Sequence, residues 1–224
     1  MMETRTIQSD FDKLALLDTD RWDHNRHYHT FLLKQIPTTC NRALEIGCGT
    51  GSFSRRLSQY AQSVLAIDLS PEMIKIARQR SSQYSNIDYR VDDVLRWEIP
   101  ERYFNCIVSI ATLHHLPLES TLQRLKSALK INGILIILDL YEPEGAIDWI
   151  RGMLAVPVHT ILKIRNTGQL KEPREIRAAW AEHGANDVYL PISEVRRVCD
   201  ALLPGASVKK HLLWRYSLIW QKQV

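Results

Sequence analysis

Short apolar runs alternate along the chain with segments of helical period. The runs lie at residues 43–47, 63–68, 104–110 and 133–140, with a weaker one at 86–91. Runs of this length predict β-strands. The run at 133–140 has no polar position before Asp139, which is typical of a strand covered on both faces. The pattern therefore favours a parallel sheet with helices on each side.

Three apolar stripes between these runs have the spacing of helices. They are Phe53, Leu57 and Tyr60; Met73, Ile76 and Ala77; and Leu118, Leu122, Leu125 and Leu129. The second stripe follows Ser70-Pro71-Glu72, which combines an N-cap serine, a first-turn proline and an early acid. We expect the third helix to stop near Asn132-Gly133. The alternation of strands and helices predicts an α/β doubly wound sheet.

Two segments lie outside this alternation of strands and helices, and the last residues of the chain have a strand pattern of their own. Residues 9–36 predict one or two helices, and 142–200 predict a mainly helical insertion interrupted at Pro157. Residues 206–222 predict two strands that turn near 213–215. We expect one domain, residues 1–224. Its parts are an N-terminal helical cap (1–40), a core (41–141), the insertion (142–200) and the terminal strands (201–224).

Composition and charge narrow the class of protein. The net charge is +4 over 224 residues, and the basic doublets are separate, so no nucleic-acid partner is expected. The four cysteines show no metal-ligand spacing and are expected to be buried free thiols in a reducing compartment. The chain has no secretory h-region and no apolar run near the roughly 20 residues that span a bilayer. A cytoplasmic protein without a transmembrane segment is predicted.

The glycines Gly47, Gly49 and Gly51 follow the first predicted strand directly and precede a helix. Glycine permits a sharp turn and a close backbone approach to a ligand. A phosphate-binding P-loop would need Gly-Lys before Ser or Thr, and Gly51-Ser52-Phe53 lacks the lysine. A dinucleotide fingerprint would place its third glycine one residue later. By itself, this glycine pattern indicates only a tight turn beside some ligand.

Two acids strengthen the interpretation of this loop. Asp68 ends the second strand about twenty residues after the loop, where a carboxylate can accept bonds from both ribose hydroxyls. Asp92-Asp93 follows the third strand, at the same carboxyl edge of the sheet. Carboxyl ends of strands line the ligand crevice of open α/β sheets. Together these features predict a nucleoside-type cofactor.

The motifs resemble those of class I S-adenosylmethionine-dependent methyltransferases, in the subgroup of small-molecule and quinone-pathway enzymes. The matching pieces, in order, are LEIGCGTG (44–51), AIDLSPEMI (66–74), VDDV (91–94), FNCIVSIATLHHL (104–116) and GILIILDL (133–140). The resemblance implies a Rossmann-like sheet of seven strands, mostly parallel, with an antiparallel C-terminal strand. It implies S-adenosyl-L-methionine as the cofactor.

The resemblance also implies a role for each matching position in cofactor binding. Glu45 would position the amino group of the methionine part, and Gly47, Gly49 and Gly51 would lie against the methionine and ribose. Asp68 would bind the ribose hydroxyls, with Leu69 and Met73 against the adenine. Asp93 would accept from the adenine amino group, and the Val94 backbone N–H would reach the ring. Asp93 is preferred to Asp92 because it precedes the apolar Val94. Ala111 and Thr112 would approach the methionine end.

Candidates for acid–base chemistry lie near the same edge. His114 and His115 follow the fourth strand, and either is a candidate base or substrate hydrogen-bond donor; bracing of the loop is the alternative. Tyr28 is a further catalytic candidate, because N-terminal helices cap this site in similar enzymes. On a helix over 22–34, Asn25, Tyr28 and Leu32 would share a face. The segment DHNRHYH (23–29) has no partner motif elsewhere, so no metal site is predicted.

The insertion is expected to form a roof over the substrate. Its apolar residues are Trp149, Ile150, Met153, Leu154 and Val156. An oligomer contact or an interfacial helix is the alternative, and a monomer or a homodimer is expected. We predict methyl transfer to a small organic molecule. Methylation of RNA or protein, and binding of the cofactor without catalysis, are the alternatives, although the fourth strand is followed by ATLH rather than an NPPY-type tetrapeptide.

Overall fold

The computed structural model of the protein describes residues 4–17, 22–169, 171, 173–185 and 187–223. The remaining positions of the expected cap, insertion and terminal strands lie outside the described residues. The strands are β1 (Arg42–Ile46), β2 (Ser63–Asp68), β3 (Ile87–Val91), β4 (Phe104–Ile110), β5 (Leu129–Leu140), β6 (Ser207–Lys210) and β7 (Arg215–Gln221). The helices are α1 (Thr4–Leu17), α2 (His24–Leu33), α3 (Ser54–Leu57), α4 (Pro71–Arg80), α5 (Leu118–Ala128), α6 (Gly145–Thr167), α7 (Arg174–Gly184) and α8 (Ile192–Leu202).

The strands form one seven-stranded sheet in the order β3-β2-β1-β4-β5-β7-β6. The pairs among β1 to β5 are parallel, and β7 runs antiparallel to both β5 and β6. This is the Rossmann-like, mostly parallel sheet that the sequence predicted, with its antiparallel C-terminal strand. The chain order places the carboxyl ends of β1, β2, β3 and β4 at one edge, with β1 and β4 adjacent.

Apolar residues fill both faces of the sheet. Along β5, Leu135 and Ile137 belong to the core layer that includes α5 and α8, whereas Ile136 and Leu138 belong to the layer that includes α2, α3 and α4. This alternation explains why the strand has no polar positions until Asp139. All four cysteines are free and buried, as expected.

Two expected helix ends are wrong, and both corrections follow from strand pairing. Leu129 belongs to β5 rather than to the helix before it, because it pairs with Phe104 of β4 and needs an extended backbone. The helix therefore ends at Ala128, before Asn132-Gly133. Tyr60 is exposed and lies outside α3, because the chain must already turn towards β2.

Pro157 does not interrupt α6, contrary to expectation. The helix runs through it from Gly145 to Thr167. Pro157 is exposed, so water can bond to the Met153 carbonyl that the proline leaves without a helical N–H partner. No helix among the described residues is long and apolar enough to cross a bilayer.

Candidate functional site

The glycine loop connects β1 to α3 and is held in place by the two neighbouring strands. The N–H groups of Gly47 and Cys48 both donate to the Ile67 carbonyl of β2, at 2.9 and 3.0 Å. Gly47 has φ +70°, and a Cβ built there would lie 2.0 Å from Thr112 Oγ1. Glycine is therefore required at position 47 by both backbone conformation and packing.

Thr112 follows a sharp bend at the end of β4. Ala111 has φ +50°, and its N–H donates to the Leu138 carbonyl at 2.8 Å. A positive φ at a residue with a Cβ is uncommon, and the surrounding strands hold it in place. The bend brings Thr112 against Gly47 of the glycine loop, and the approach of Ala111 and Thr112 to the methionine end of the cofactor remains a prediction.

Asp68 ends β2 with its carboxylate turned towards the glycine loop. Its Oδ2 accepts from the Gly49 N–H at 2.8 Å, and its Oδ1 accepts from the Ser70 N–H at 2.9 Å. The side chain is buried, and this burial raises the pKa of the carboxyl. Each carboxylate oxygen has two lone pairs, so both oxygens retain capacity to accept from a neighbouring diol.

Glu45 lies beneath the same loop and is more deeply buried. Its Oε2 accepts from Ser54 Oγ at 2.5 Å. Burial is the main cause that raises the pKa of Glu45 to about 8, the Ser54 bond opposes it, and the charge of Asp68 adds to it. Two buried acids with raised pKa values make a site that favours a ligand carrying positive charge.

These features fit S-adenosylmethionine, which carries a sulfonium, an ammonium group and a ribose diol. A Cβ built on Gly49, at φ +51°, would meet no atom within 4 Å, so the loop borders open space rather than packed protein. The buried acids suit the cationic groups, and Asp68 suits the diol. The predicted contact positions Glu45, Gly49 and Asp68 are thus brought together.

The expected adenine contacts lie farther along the same edge. Leu69 is half-buried, and Met73 packs against Leu14 and Ala15 of α1. Asp93 Oδ1 accepts from the Leu95 N–H at 2.9 Å, so this carboxylate also shapes its own turn.

The neighbours of Asp93 in this turn, Asp92 and Val94, have different surroundings. Asp92 Oδ1 accepts from the Asp93 N–H at 3.0 Å. The Val94 side chain belongs to the core. The roles of Asp93 and Val94 towards adenine remain predictions.

The helix α1 covers this edge through contacts that the sequence did not reveal. Asp12 Oδ1 accepts from Ser70 Oγ at 2.5 Å, at the N-terminus of α4. The Phe11 ring lies edge-on to His115 and His183, with centroids 5.7 and 4.7 Å apart. The cap over the strand ends therefore consists of α1 and α7. A single amphipathic helix gives no signal of which partner it will cover.

The predicted catalytic pair His114 and His115 lies in a short 3-10 helix after β4. Asp139 Oδ1 lies 2.6 Å from His114 Nδ1, and its Oδ2 accepts from the His114 N–H at 2.9 Å. The His115 ring faces Asp187, with Nδ1 3.5 Å from Oδ1. Burial lowers the pKa of His115 to about 4, the neighbouring His114 acts in the same direction, and Asp187 opposes the shift. A catalytic role for either histidine remains a prediction.

Tyr28 is buried at a different contact. Its hydroxyl donates to the Leu212 carbonyl at 2.5 Å, which joins α2 to the loop between β6 and β7. Burial raises the pKa of Tyr28 to about 12. Asn25, on the same face as predicted, accepts from Arg215 Nε at 2.9 Å. The structure thus gives Tyr28 a bracing contact, and its catalytic role remains a prediction.

The expected roof residues on α6 are largely exposed in this structure, and the role of the insertion as a substrate roof remains a prediction. Trp149, Ile150, Met153, Leu154 and Val156 are between 51% and 67% exposed. The side of this helix that faces the protein carries the buried Ala155, with Val158 and Leu162 packed against the same core layer as α2, and Asp148 is buried as well. The five expected roof residues lie on the other sides of α6 and face solvent.

Comparisons with known proteins agree with this geometry. Residues 43–133 match the family described as "Methyltransferase domain". The chain is 30% identical over 196 residues to a ubiquinone biosynthesis O-methyltransferase of Xylella fastidiosa, over 79% of this chain and 77% of the relative. It is 26% identical over 207 residues to an uncharacterized methyltransferase of Mycobacterium tuberculosis, over 91% of this chain and 98% of the relative.

A solved structure has the same fold. The N-methyltransferase NodS from Bradyrhizobium japonicum, in complex with S-adenosyl-L-homocysteine, superposes with a TM-score of 0.64 at 19% identity. The match covers 97% of this chain and 98% of that protein. The likeness supports the fold and its strand order.

Proposed function

The chain belongs to the class I S-adenosylmethionine-dependent methyltransferases, and from this premise we propose that it methylates a small organic molecule. The proposal places the acceptor at the carboxyl edge of β4 and β5, beside Ala111 and Thr112. Both residues border the glycine loop, where the methionine end of the cofactor is expected.

The cofactor supplies an electrophilic methyl group on a sulfonium. The protein has to hold the acceptor in line with that methyl and exclude water, and both contribute to lowering the barrier. In this proposal, Glu45 and Asp68 hold the charged and hydroxyl groups of the cofactor. Thr112, packed against Gly47, fixes the wall of the site between the two ligands.

The observation that carries the small-molecule proposal is the cover over the strand ends. Phe11 of α1 and His183 of α7 both contact His115 directly after β4. A polymer could approach this edge only if both helices moved away, whereas a small molecule needs only a limited opening. The similarity to an enzyme of ubiquinone biosynthesis supports the same class of acceptor.

The test is to follow a labelled methyl group into separated cell fractions. Protein and labelled S-adenosylmethionine are incubated with low-molecular-weight metabolites, RNA or denatured protein, and the label is located in each. We expect label in the metabolite fraction, and much less at low cofactor concentration when Asp68→Ala replaces the wild type. The matched control Asp88→Ala removes an exposed carboxylate of β3 and should retain transfer.

Other outcomes separate the alternatives. Label found only in RNA or protein would overturn the small-molecule proposal and keep the methyltransferase. Cofactor binding without label in any fraction would indicate a binding protein without turnover.

A further inference from the structure

A cluster of four side chains lies beneath the cap and has no part in the proposed cofactor contacts. We define the histidine cluster as His114, His115, His183 and Asp187. It joins the 3-10 helix after β4 to the C-terminal end of α7 and the residues that follow. The four side chains are only 4–6% exposed.

The three histidine rings surround the carboxylate of Asp187 without bonding to it. His115 Nδ1 and His183 Nε2 lie 3.5 and 3.8 Å from Asp187 Oδ1. His114 Nε2 lies 3.9 Å from Oδ2. N–H···O bonds are normally about 2.7–3.2 Å long, so these are gaps between polar atoms that face one another.

Several polar atoms of the cluster are buried without a hydrogen-bond partner among the described residues. They are Asp187 Oδ1, His115 Nε2 and His183 Nδ1. An unsatisfied buried polar atom destabilises the folded state, and more strongly when it is charged. Asp187 Oδ1 is the one of these atoms that faces the other side chains of the cluster, and its lack of a partner in the described part of the chain indicates that a group belonging there completes the site.

The spacing suits a metal ion. Nitrogen and oxygen ligands lie about 2.0–2.2 Å from zinc, which places tetrahedral ligand atoms roughly 3.4 Å from each other. The three distances to the Asp187 carboxylate are within a few tenths of an ångström of that value. The residues His114, His115 and Asp187 each offer one ligand atom, and these three atoms lie within 4.8 Å of one another. Small side-chain rotations can shorten these separations to the ligand spacing of a zinc ion.

An outer contact prepares one of the histidines as a ligand. Asp139 Oδ1 is 2.6 Å from His114 Nδ1, so a proton held there leaves Nε2 free to face Asp187. Asp10 Oδ2 faces His183 Nδ1 at 3.7 Å, which is too long for a hydrogen bond. Metal-ligating histidines typically place their other ring nitrogen against a carboxylate.

The carboxylate of the cluster is held in a similar manner. The Tyr189 hydroxyl donates to Asp187 Oδ2 at 2.9 Å and leaves Oδ1 for the ion. An orienting contact from outside the cluster thus exists for Asp187 as well as for His114.

We propose that the histidine cluster binds one divalent transition-metal ion, with Zn²⁺ as the metal that best suits three imidazoles and one carboxylate. Three ligands come from the group His114, His115 and Asp187, and His183, whose Nε2 faces Asp187 Oδ1 at 3.8 Å, moves in as the fourth, which leaves no open position in a tetrahedral site. The ion therefore fastens α7 to the segment after β4, rather than activating the acceptor. This inference does not depend on the methylated substrate, and it gives His114 and His115 a ligand role instead of the predicted catalytic one. It also departs from the expectation that the chain has no metal site.

The test uses untagged, full-length protein. Zinc content is measured after expression with added Zn²⁺ and dialysis, and the chelated protein is then loaded with Co²⁺, whose visible absorption reports tetrahedral coordination. We expect one zinc per chain, a tetrahedral Co²⁺ spectrum, and a lower melting temperature after chelation. Wild-type protein that takes up neither ion would overturn the proposal.

Variants separate the cluster from adventitious binding. Asp187→Asn and His183→Gln should lose the bound ion, whereas the matched control His27→Gln, an exposed histidine of α2, should retain it. Asp139→Asn should lower Zn²⁺ affinity about 10–100-fold in competition with a chromogenic chelator, because it orients His114. If Asp187→Asn and His183→Gln fold by circular dichroism and still hold zinc at wild-type stoichiometry, the site is elsewhere. If they do not fold, the Co²⁺ spectrum of the wild type decides.

Discussion

The glycine-loop site and the histidine cluster lie on the same edge of the sheet but are built differently. The first is formed by residues close in sequence, because Gly47, Gly49 and Asp68 come from one strand–loop–helix–strand unit. The second joins residues about seventy positions apart, from His115 to Asp187. Local contacts therefore determine the cofactor site, whereas only the packing of α1 and α7 forms the cluster.

The two regions also differ in how their buried charge is satisfied. Asp68 accepts two backbone N–H bonds at its oxygens, and Glu45 accepts a hydrogen bond from the Ser54 hydroxyl. Asp187 Oδ1 has no hydrogen-bond partner among the described residues. In the loop site, protein groups already bond and orient the carboxylates that would hold the cofactor. In the histidine cluster, the Asp187 carboxylate depends on the proposed metal ion for its missing partner.

The largest expected effect concerns the buried charge of the loop site. The pKa of Glu45 is raised from its ordinary value of 4.5 to about 8, so the folded state binds the proton more tightly than the unfolded state. Its contribution to stability is full below pH 4.5 and is lost as pH rises towards 8. At about 1.36 kcal/mol per pKa unit, the loss is of the order of 4 kcal/mol.

Glu45→Gln should remove this dependence, because glutamine stays neutral and can still accept from Ser54. We expect denaturant unfolding between pH 5 and 8.5 to show that the free energy of unfolding of the variant rises relative to that of the wild type as pH increases. The control Glu194→Gln removes an exposed carboxyl whose pKa is lowered by its bond to Arg197. The difference in free energy of unfolding between this control and the wild type should therefore stay constant over the same pH range. Parallel curves for Glu45→Gln and wild type would contradict the buried-charge argument.

The next effect concerns the contact between the glycine loop and the segment after β4. Gly47→Ala places a Cβ 2.0 Å from Thr112 Oγ1, whereas Gly145→Ala, at nearly the same φ of +72°, meets no atom within 4 Å. In both variants an alanine must adopt a positive φ, which costs a similar free energy. The difference between their free energies of unfolding therefore reports the steric contact with Thr112. We expect Gly47→Ala to lower the free energy of unfolding by about 1–3 kcal/mol more than Gly145→Ala. Equal losses would show that Thr112 yields freely.

The ribose role predicted for Asp68 is tested by calorimetry of cofactor binding. Asp68→Ala should weaken the affinity for S-adenosylmethionine by roughly 1–3 kcal/mol, because hydrogen bonds to a charged acceptor are lost. Asp88→Ala, on the exposed side of β3, should leave the affinity as it is. An unchanged affinity in Asp68→Ala would refute the role.

The smallest effect distinguishes a bracing tyrosine from a catalytic one. Tyr28→Phe removes the bond to the Leu212 carbonyl and should lower the free energy of unfolding by about 0.5–1.5 kcal/mol. Its kcat should change little, because the structure places the hydroxyl in a contact between α2 and the β6–β7 loop. A large fall in kcat at unchanged stability would restore the predicted catalytic role.

Much of the core could be predicted because the signals are local. The strand β2 and the strand β4 have the predicted bounds, and Ser70 caps α4 by accepting from the Met73 N–H. The ends of α3 and α5 were missed because pairing and turns between distant segments decide them. Leu129 fits a helical stripe equally well until Phe104 pairs with it.

The sheet, its glycine loop and the acids at its strand ends are predictable from the amino-acid sequence alone. These follow from apolar periodicity and from backbone conformations that only certain residues adopt. The way in which this edge is covered depends on long-range packing: Phe11 of α1 and His183 of α7 contact His115, and α6 leaves Trp149, Ile150, Met153, Leu154 and Val156 exposed. Amphipathic helices of similar pattern can pack in several places, and the choice depends on contacts between residues far apart in the chain.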